Sequence, residues 1–239
     1  MFVHGLNPLN HQNHAFDTWT HENGVFWPTD LLGEDLPRAR IWVYGYNSQV
    51  AHEAEEARIK DHANVLLDRL QRQRRNALQS DSLPIIFIGH SLGGLVIKQA
   101  LLNARDNHSY SSILEATYGL IFFGCPHRGS RGSAPGQIAA DVARFLSQDK
   151  ARNDLLDCLK KNSLFTQEAT ERFRHQLERY NVISFYETRS MLVPRGVFKR
   201  ALSGIVVDRD SAVLNLSGDR EVQLSLNADH SSICKVARK

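Results

Sequence analysis

The stretch Gly89-His90-Ser91-Leu92-Gly93 sets a lone serine between two glycines, directly after the apolar run Ile85 to Ile88. The pattern is G-x-S-x-G, and it has the setting of a nucleophile elbow, with a strand before it and apolar residues at helical spacing after it. A turn that tight leaves no room for side chains two positions before and after the serine, so glycine is expected at both. The serine is held in strained backbone geometry at the strand tip with its oxygen exposed. The N–H of Leu92 then points to the same spot, as one donor for an oxyanion hole. The chemistry implied is attack on a carbonyl carbon by an activated hydroxyl.

Such a site needs a second backbone donor for the negative oxygen, and "FVHGLNP" (Phe2 to Pro8) supplies a candidate. His4 and Gly5 follow an apolar stretch that reads as the last residues of a buried strand. Gly5 lets the backbone approach the substrate, and the N–H of Leu6 is the second donor. His4, Gly5, His90 and His127 are expected to line the site.

A serine hydroxyl also needs a base, held in the correct tautomer by an acid. In this kind of sheet the chain order is serine, acid, histidine. Of the eleven histidines, His230 in "LNADHSSICK" comes in that order, shortly after the last strand. His127 in "FFGCPHRGS" is its rival, and His90 is expected to point to another side. His11, His14, His21, His52, His62, His108 and His175 sit in polar surroundings and read as solvent-facing. For the acid three residues stay open: Glu187, at the end of "VISFYE", and Asp208 and Asp210 in "IVVDRDSA". Asp229, beside His230, reads as the cap of a turn.

The elements that must position these residues alternate. Runs rich in β-branched and aromatic residues recur at Ile41 to Tyr46, Pro84 to Gly89, Tyr118 to Gly124 and Val182 to Glu187. They are apolar on both faces, as strands buried between helix layers are. Between them, Glu53 to Leu78 and Leu92 to Leu102 carry apolar residues at steps of three and four. Strand and helix in alternation predict an α/β fold with a mostly parallel sheet and right-handed crossovers. Val222 to Asn227 alternates and reads as a half-exposed last strand. The segment of about 133–180 carries a further apolar stripe, Leu155 to Tyr180, and reads either as a long helical crossover or as a cap over the site.

Composition bounds the rest. With 239 residues, 42% of them hydrophobic and 23% charged, the chain suffices for a single domain over 1–239. A net charge of +3 gives no argument for nucleic acid. The densest basic run, Arg72, Arg74 and Arg75, reads as a solvated helix face, with an anionic membrane surface as the other reading. Cys125, Cys158 and Cys234 are odd in number and form no CxxC pair, which points to a reducing compartment without disulfides or zinc. No run reaches the length of a membrane helix, and "MFVHGLNP" is no signal peptide. The expectation is an intracellular protein, not secreted.

Taken together, "FVHGL", "FWPTDLL", "ARIWVYGYNS", "IIFIGHSLGGLVIKQAL", "GLIFFGCPHRGS", "VISFYET", "IVVDRDSAVL" and "LNADHSSICK" resemble the serine-active-site-containing (SERAC-type) α/β-hydrolase domain, also found at the N-terminus of fungal NOD-like receptor and ankyrin-repeat proteins. The resemblance implies an α/β-hydrolase fold and a lipase- or esterase-like activity on lipid or other carboxylic esters through an acyl-serine. It implies Ser91 and His230 as the catalytic pair, favours Glu187 as the acid, and calls for no cofactor. It also implies phospholipid remodelling at mitochondrion and endoplasmic reticulum contacts, or a signalling effector module that does not depend on catalysis. The family pattern has one or two strands before "FVHG" and a helix after "ICK", which this sequence lacks, and "CP" stands where "TP" is commoner.

Overall fold

The computed structural model describes residues 1–7, 11–48, 56–76, 83–127, 171–193 and 202–238. Six strands form one sheet in the order β2-β1-β3-β4-β5-β8, parallel throughout. They are β1 (Phe2–Val3), β2 (Val43–Tyr44), β3 (Ile85–His90), β4 (Thr117–Phe123), β5 (Asn181–Glu187) and β8 (Glu221–Leu226). A separate antiparallel pair joins β6 (Met191–Val193) to β7 (Leu202–Gly204). The helices used below are α1 (His14–Asp17), α2 (Trp27–Asp30), α3 (Leu32–Asp35), α4 (Glu56–Arg75), α5 (Gly93–Asp106) and α6 (Ser111–Ala116), followed by α7 (Arg209–Ala212).

The alternation in the sequence is thus an α/β sheet with helical crossovers, but the strand limits differ. "IWVYGY" forms only the two-residue β2, because β1, its one neighbour among the described strands, offers two residues to pair with. The β6–β7 hairpin has no counterpart in the sequence reading, since neither strand is long enough to show alternation.

Each sheet face has its own core. On one, Ile59, Ala63, Leu66, Leu67 and Leu70 of α4 and most of α5 pack on Phe87, Leu120, Phe122 and Val182. The apolar positions of α4 recur every three or four residues, so they form one stripe facing α5. Leu177 and Tyr180 join this core, with Phe173 stacked on Tyr180. The expected cap or crossover before Glu171 lies outside the described residues. The basic run on α4 is not one exposed face: Arg74 is buried and donates to Leu83 O, while Arg72 pairs with Asp68.

The opposite face is closed by aromatic rings. Phe2 meets Trp19 and Trp27 edge-on at 5.1 and 5.2 Å, and both indoles approach Phe123. Ile233 and Cys234 complete this cluster. Trp27 Nε1 donates to Cys234 O at 2.8 Å, and Cys234 Sγ donates to Thr18 O at 3.1 Å. Residues near the two ends of the chain therefore share one dry contact.

Trp27→Phe removes that indole bond and part of the buried ring, so urea unfolding should show a loss of roughly 1–3 kcal/mol.

Candidate active site

The carboxyl ends of β3, β5 and β8 bring three predicted residues together. Ser91 Oγ lies 3.0 Å from His230 Nε2, and His230 Nδ1 lies 3.1 Å from Glu187 Oε2. All three side chains are buried. A carboxylate oxygen accepts, so the Nδ1 proton of His230 faces Glu187, and bare Nε2 accepts the serine hydroxyl.

Ser91 adopts φ +51°, a left-handed conformation that costs a non-glycine residue free energy. The glycines around it are required, though not because of one another. A Cβ on Gly89 would meet Gly94 N at 3.0 Å and Ile97 Cδ1 at 2.8 Å. One on Gly93 would sit 2.2 Å from Val3 O and 2.5 Å from His4 O. The first glycine makes room for α5, and the second lets α5 start directly against β1.

Sheet register brings the acid and the base together. Glu187 pairs with Leu226, and the backbone N–H groups of Thr188 and Arg189 donate to Ala228 O. Two residues later comes His230, in a turn that Asp229 caps through Ser231 and Ser232. Glu187 is fixed in turn: its Oε1 accepts from the N–H groups of Val206 and Val207 at 2.6 and 2.7 Å. These are short, charge-assisted bonds. Sequence reading missed both donors, because a backbone N–H leaves no trace in residue type.

Between Ser91 and Glu187 runs β4, and the His230 ring passes over its end. Gly124, next after β4, has φ +51°, and a Cβ there would lie 3.2 Å from His230 Nδ1.

The rival acids sit elsewhere. Asp208 caps α7 by accepting from Ser211 N at 2.8 Å, and Asp210 is exposed in the first turn of that helix. His127, the rival base, is buried against Phe122 with ring centroids 4.6 Å apart. Cys125 and Cys234 are free and buried, and burial pushes each thiol up to about 12, so neither offers a thiolate at neutral pH. Cys158 lies outside the described residues.

The two expected oxyanion donors, the N–H groups of Leu6 and Leu92, lie in the same packing. A Cβ on Gly5 would come within 2.8 Å of Ser91 Cβ, so the Gly5-Leu6 peptide abuts the serine. Among the described residues, neither Leu6 N–H nor Leu92 N–H donates to a backbone carbonyl. Leu92 also precedes α5, whose N-terminus favours negative charge.

The His4 side chain does not face Ser91. Its Nδ1 donates to Gly5 O at 2.8 Å, its Nε2 accepts from Tyr46 N, and its ring stacks on Tyr46. It thereby fixes the peptide that carries Leu6 N–H. On its far side a cavity of about 440 Å³ lies between α1, β2 and α4, lined by His14, Tyr44, Tyr46, His62 and Arg69 among others. His14, His21 and His62 are half-buried rather than solvent-facing, while His11, His108 and His175 are exposed and His52 lies outside the described residues. Among the described residues, no group of three or more His, Cys, Asp or Glu side chains is arranged to hold a metal ion, and no helix is long and apolar enough to cross a membrane.

Fold and site together define the class of protein. Residues 29–214 match the family described as "Putative serine esterase (DUF676)", and the chain belongs to that family, with a SERAC-type α/β-hydrolase domain. It is similar to Protein SERAC1 of Danio rerio, 27% identical over 259 residues that cover all of this chain and 36% of that protein. Protein SERAC1 of Homo sapiens is 29% identical over 152 residues, covering 55% of this chain and 22% of its own length. The chain spans about a third of the length of the Danio rerio protein it matches. Among solved structures, the mature Bacillus licheniformis lipase BlEst2 has the same fold, with TM-score 0.54 and 18% identity over 98% of this chain and 84% of that one. Its propeptide form aligns with TM-score 0.55 and 17% identity over 98% of this chain and 46% of that one.

Two predictions follow from this geometry. Alanine at Gly124 must adopt a left-handed backbone, so Gly124→Ala should lower stability by about 1–2 kcal/mol in urea titration. His4 is held neutral by burial, its pKa lowered from 6.5 to about 4. Below pH 6.5 the unfolded chain binds a proton there that the folded chain excludes, so stability falls with pH until about pH 4. One such group contributes a slope of up to about 1.4 kcal/mol per pH unit. Denaturation midpoints of His4→Asn should fall less steeply than wild type across that window.

Proposed function

We propose that the protein hydrolyses carboxylic esters through an acyl-serine intermediate, with Ser91 as nucleophile, His230 as general base and acid, and Glu187 orienting His230. The observation that carries this reading is the hydrogen-bonded line from Ser91 Oγ through His230 to Glu187, with the serine at φ +51°.

In the first half, Ser91 Oγ attacks the ester carbonyl carbon as its proton moves to His230 Nε2. The carbonyl oxygen becomes an oxyanion, which the N–H groups of Leu6 and Leu92 receive. Each such donor is worth about 3–4 kcal/mol of barrier in comparable sites. The imidazolium is stabilised by Glu187, whose other oxygen is already occupied by Val206 and Val207. The tetrahedral species collapses by breaking the bond to the alcohol oxygen, which leaves with the Nε2 proton. In the second half, water gives a proton to Nε2 and attacks the acyl carbon, and Ser91 regains its hydrogen as the carboxylic acid departs.

The substrate class follows from this machinery: an ester of a carboxylic acid, with the acyl group on the enzyme between steps. The shared fold with a bacterial lipase agrees with a lipid ester as one such substrate.

p-Nitrophenyl esters of increasing acyl length, with fluorophosphonate labelling alongside, test the reading. Wild type should turn over and label on Ser91, and Ser91→Ala should lose about 10⁴-fold or more in kcat/KM and not label. Folded wild type that neither labels nor exceeds Ser91→Ala would overturn it in favour of a signalling module that keeps the fold.

A further inference from the structure

The mechanism above gives no task to His90, the residue immediately before the nucleophile. Its side chain is buried, with Nε2 2.9 Å from His230 O and its ring centroid 5.0 Å from that of His230, the planes 40° apart. It was expected to point to another side of the strand. It does turn from the serine oxygen, but it reaches the main chain of the base.

A carbonyl oxygen only accepts, so Nε2 carries the proton and Nδ1 does not. Nδ1 faces Gly5, where a Cβ would lie 3.3 Å away. One ring therefore touches the chain that bears Leu6 and the turn that bears His230, while its own backbone joins Ser91. Other bonds hold the turn on either side of His230, through Ala228 O and through Asp229. The described bond to the carbonyl of His230 itself comes from His90.

We infer that His90 is a positioning residue, which sets His230 Nε2 relative to Ser91 Oγ by anchoring the His230 carbonyl to the strand that carries the nucleophile. A base 3.0 Å from its serine has little slack, and displacement by about 1 Å can cost on the order of 10²-fold in rate. Neutrality serves the same end. Burial first, and then the neighbouring His230, push the His90 pKa well below its usual value. His230 can then become an imidazolium during turnover without a second cation beside it.

The inference rests on the hydrolase reading for its rate effect and not for its geometry, so two measurements separate them. In the first, the ring nitrogens of wild-type His90 are followed by NMR at neutral pH. The Nε2–H tautomer is expected, and the Nδ1–H tautomer would overturn the inference, since a bare Nε2 cannot bond to a carbonyl. In the second, His90→Gln, which keeps a donor, and His90→Leu, which does not, are compared for the hydrogen-bonded Nδ1 proton signal of His230 and for ester hydrolysis across pH. The leucine variant should lose the signal and about 10- to 100-fold in kcat with KM within about twofold. Glutamine should restore much of both. A leucine variant that is merely less stable, with the signal kept and kcat within about twofold, would sink the idea. If wild type hydrolyses no ester, the hydrolase reading fails, and the two NMR signals still decide the role of His90.

Discussion

The distance between parallel strands governs this site. Ser91 and Glu187 end strands that are two apart in the sheet, about 10 Å by strand spacing. No side chain of either residue crosses that gap. A flat ring with a nitrogen on each side can, provided nothing rises from the strand between. Gly124 leaves that space empty, and the parallel register of β5 and β8 delivers His230 from beyond Glu187. The backbone bonds to Glu187, the cap at Asp229 and the packing of Cys234 under Trp27 all keep this ring in place.

Much of this was legible in the residues, and the reason differs from part to part. The apolar runs around Ile88, Phe122 and Ile183 reveal strands because both sheet faces are covered there. The elbow is legible because glycine at 89 and 93 is compulsory. The tightness of the turn is only part of the cause, however: Gly93 yields to β1, a neighbour distant in sequence, rather than to Gly89. The choice among Glu187, Asp208 and Asp210 could not be made from composition. It depends on the register of β5 against β8 and on which carboxylate receives the N–H groups of Val206 and Val207, and neither is written in side-chain type. The half-buried state of His14 and His62 is hidden for a similar reason, since burial there comes from β2 and α4 approaching from elsewhere.

Family membership and site geometry carry different weight. The match over residues 29–214 assigns the chain to the family described as "Putative serine esterase (DUF676)", and the likeness to the bacterial lipase extends to the fold. His230 lies beyond the matched range, as do His4, Gly5 and Leu6 before it. The reading of those residues therefore stands on distances and packing in this chain, above all on the contact of Gly5 with Ser91 and of His230 with Glu187.

The indole of Trp27 and the carbonyl it grips are 207 positions apart, and the ring cluster around Phe2 is finished only by Ile233 and Cys234. Contacts so remote in sequence are slow to form, because a long loop must close before they repay its entropy. On a ribosome the consequence is one of timing. The serine corner needs β4 as well as β1, β3 and α5, because Ser91 N donates to Phe123 O, and the imidazole that would activate it emerges 139 positions after the serine. Until then a nascent chain exposes an aromatic face and carries an unarmed serine, so any chemistry at this site waits for residues as far along as His230 and Cys234.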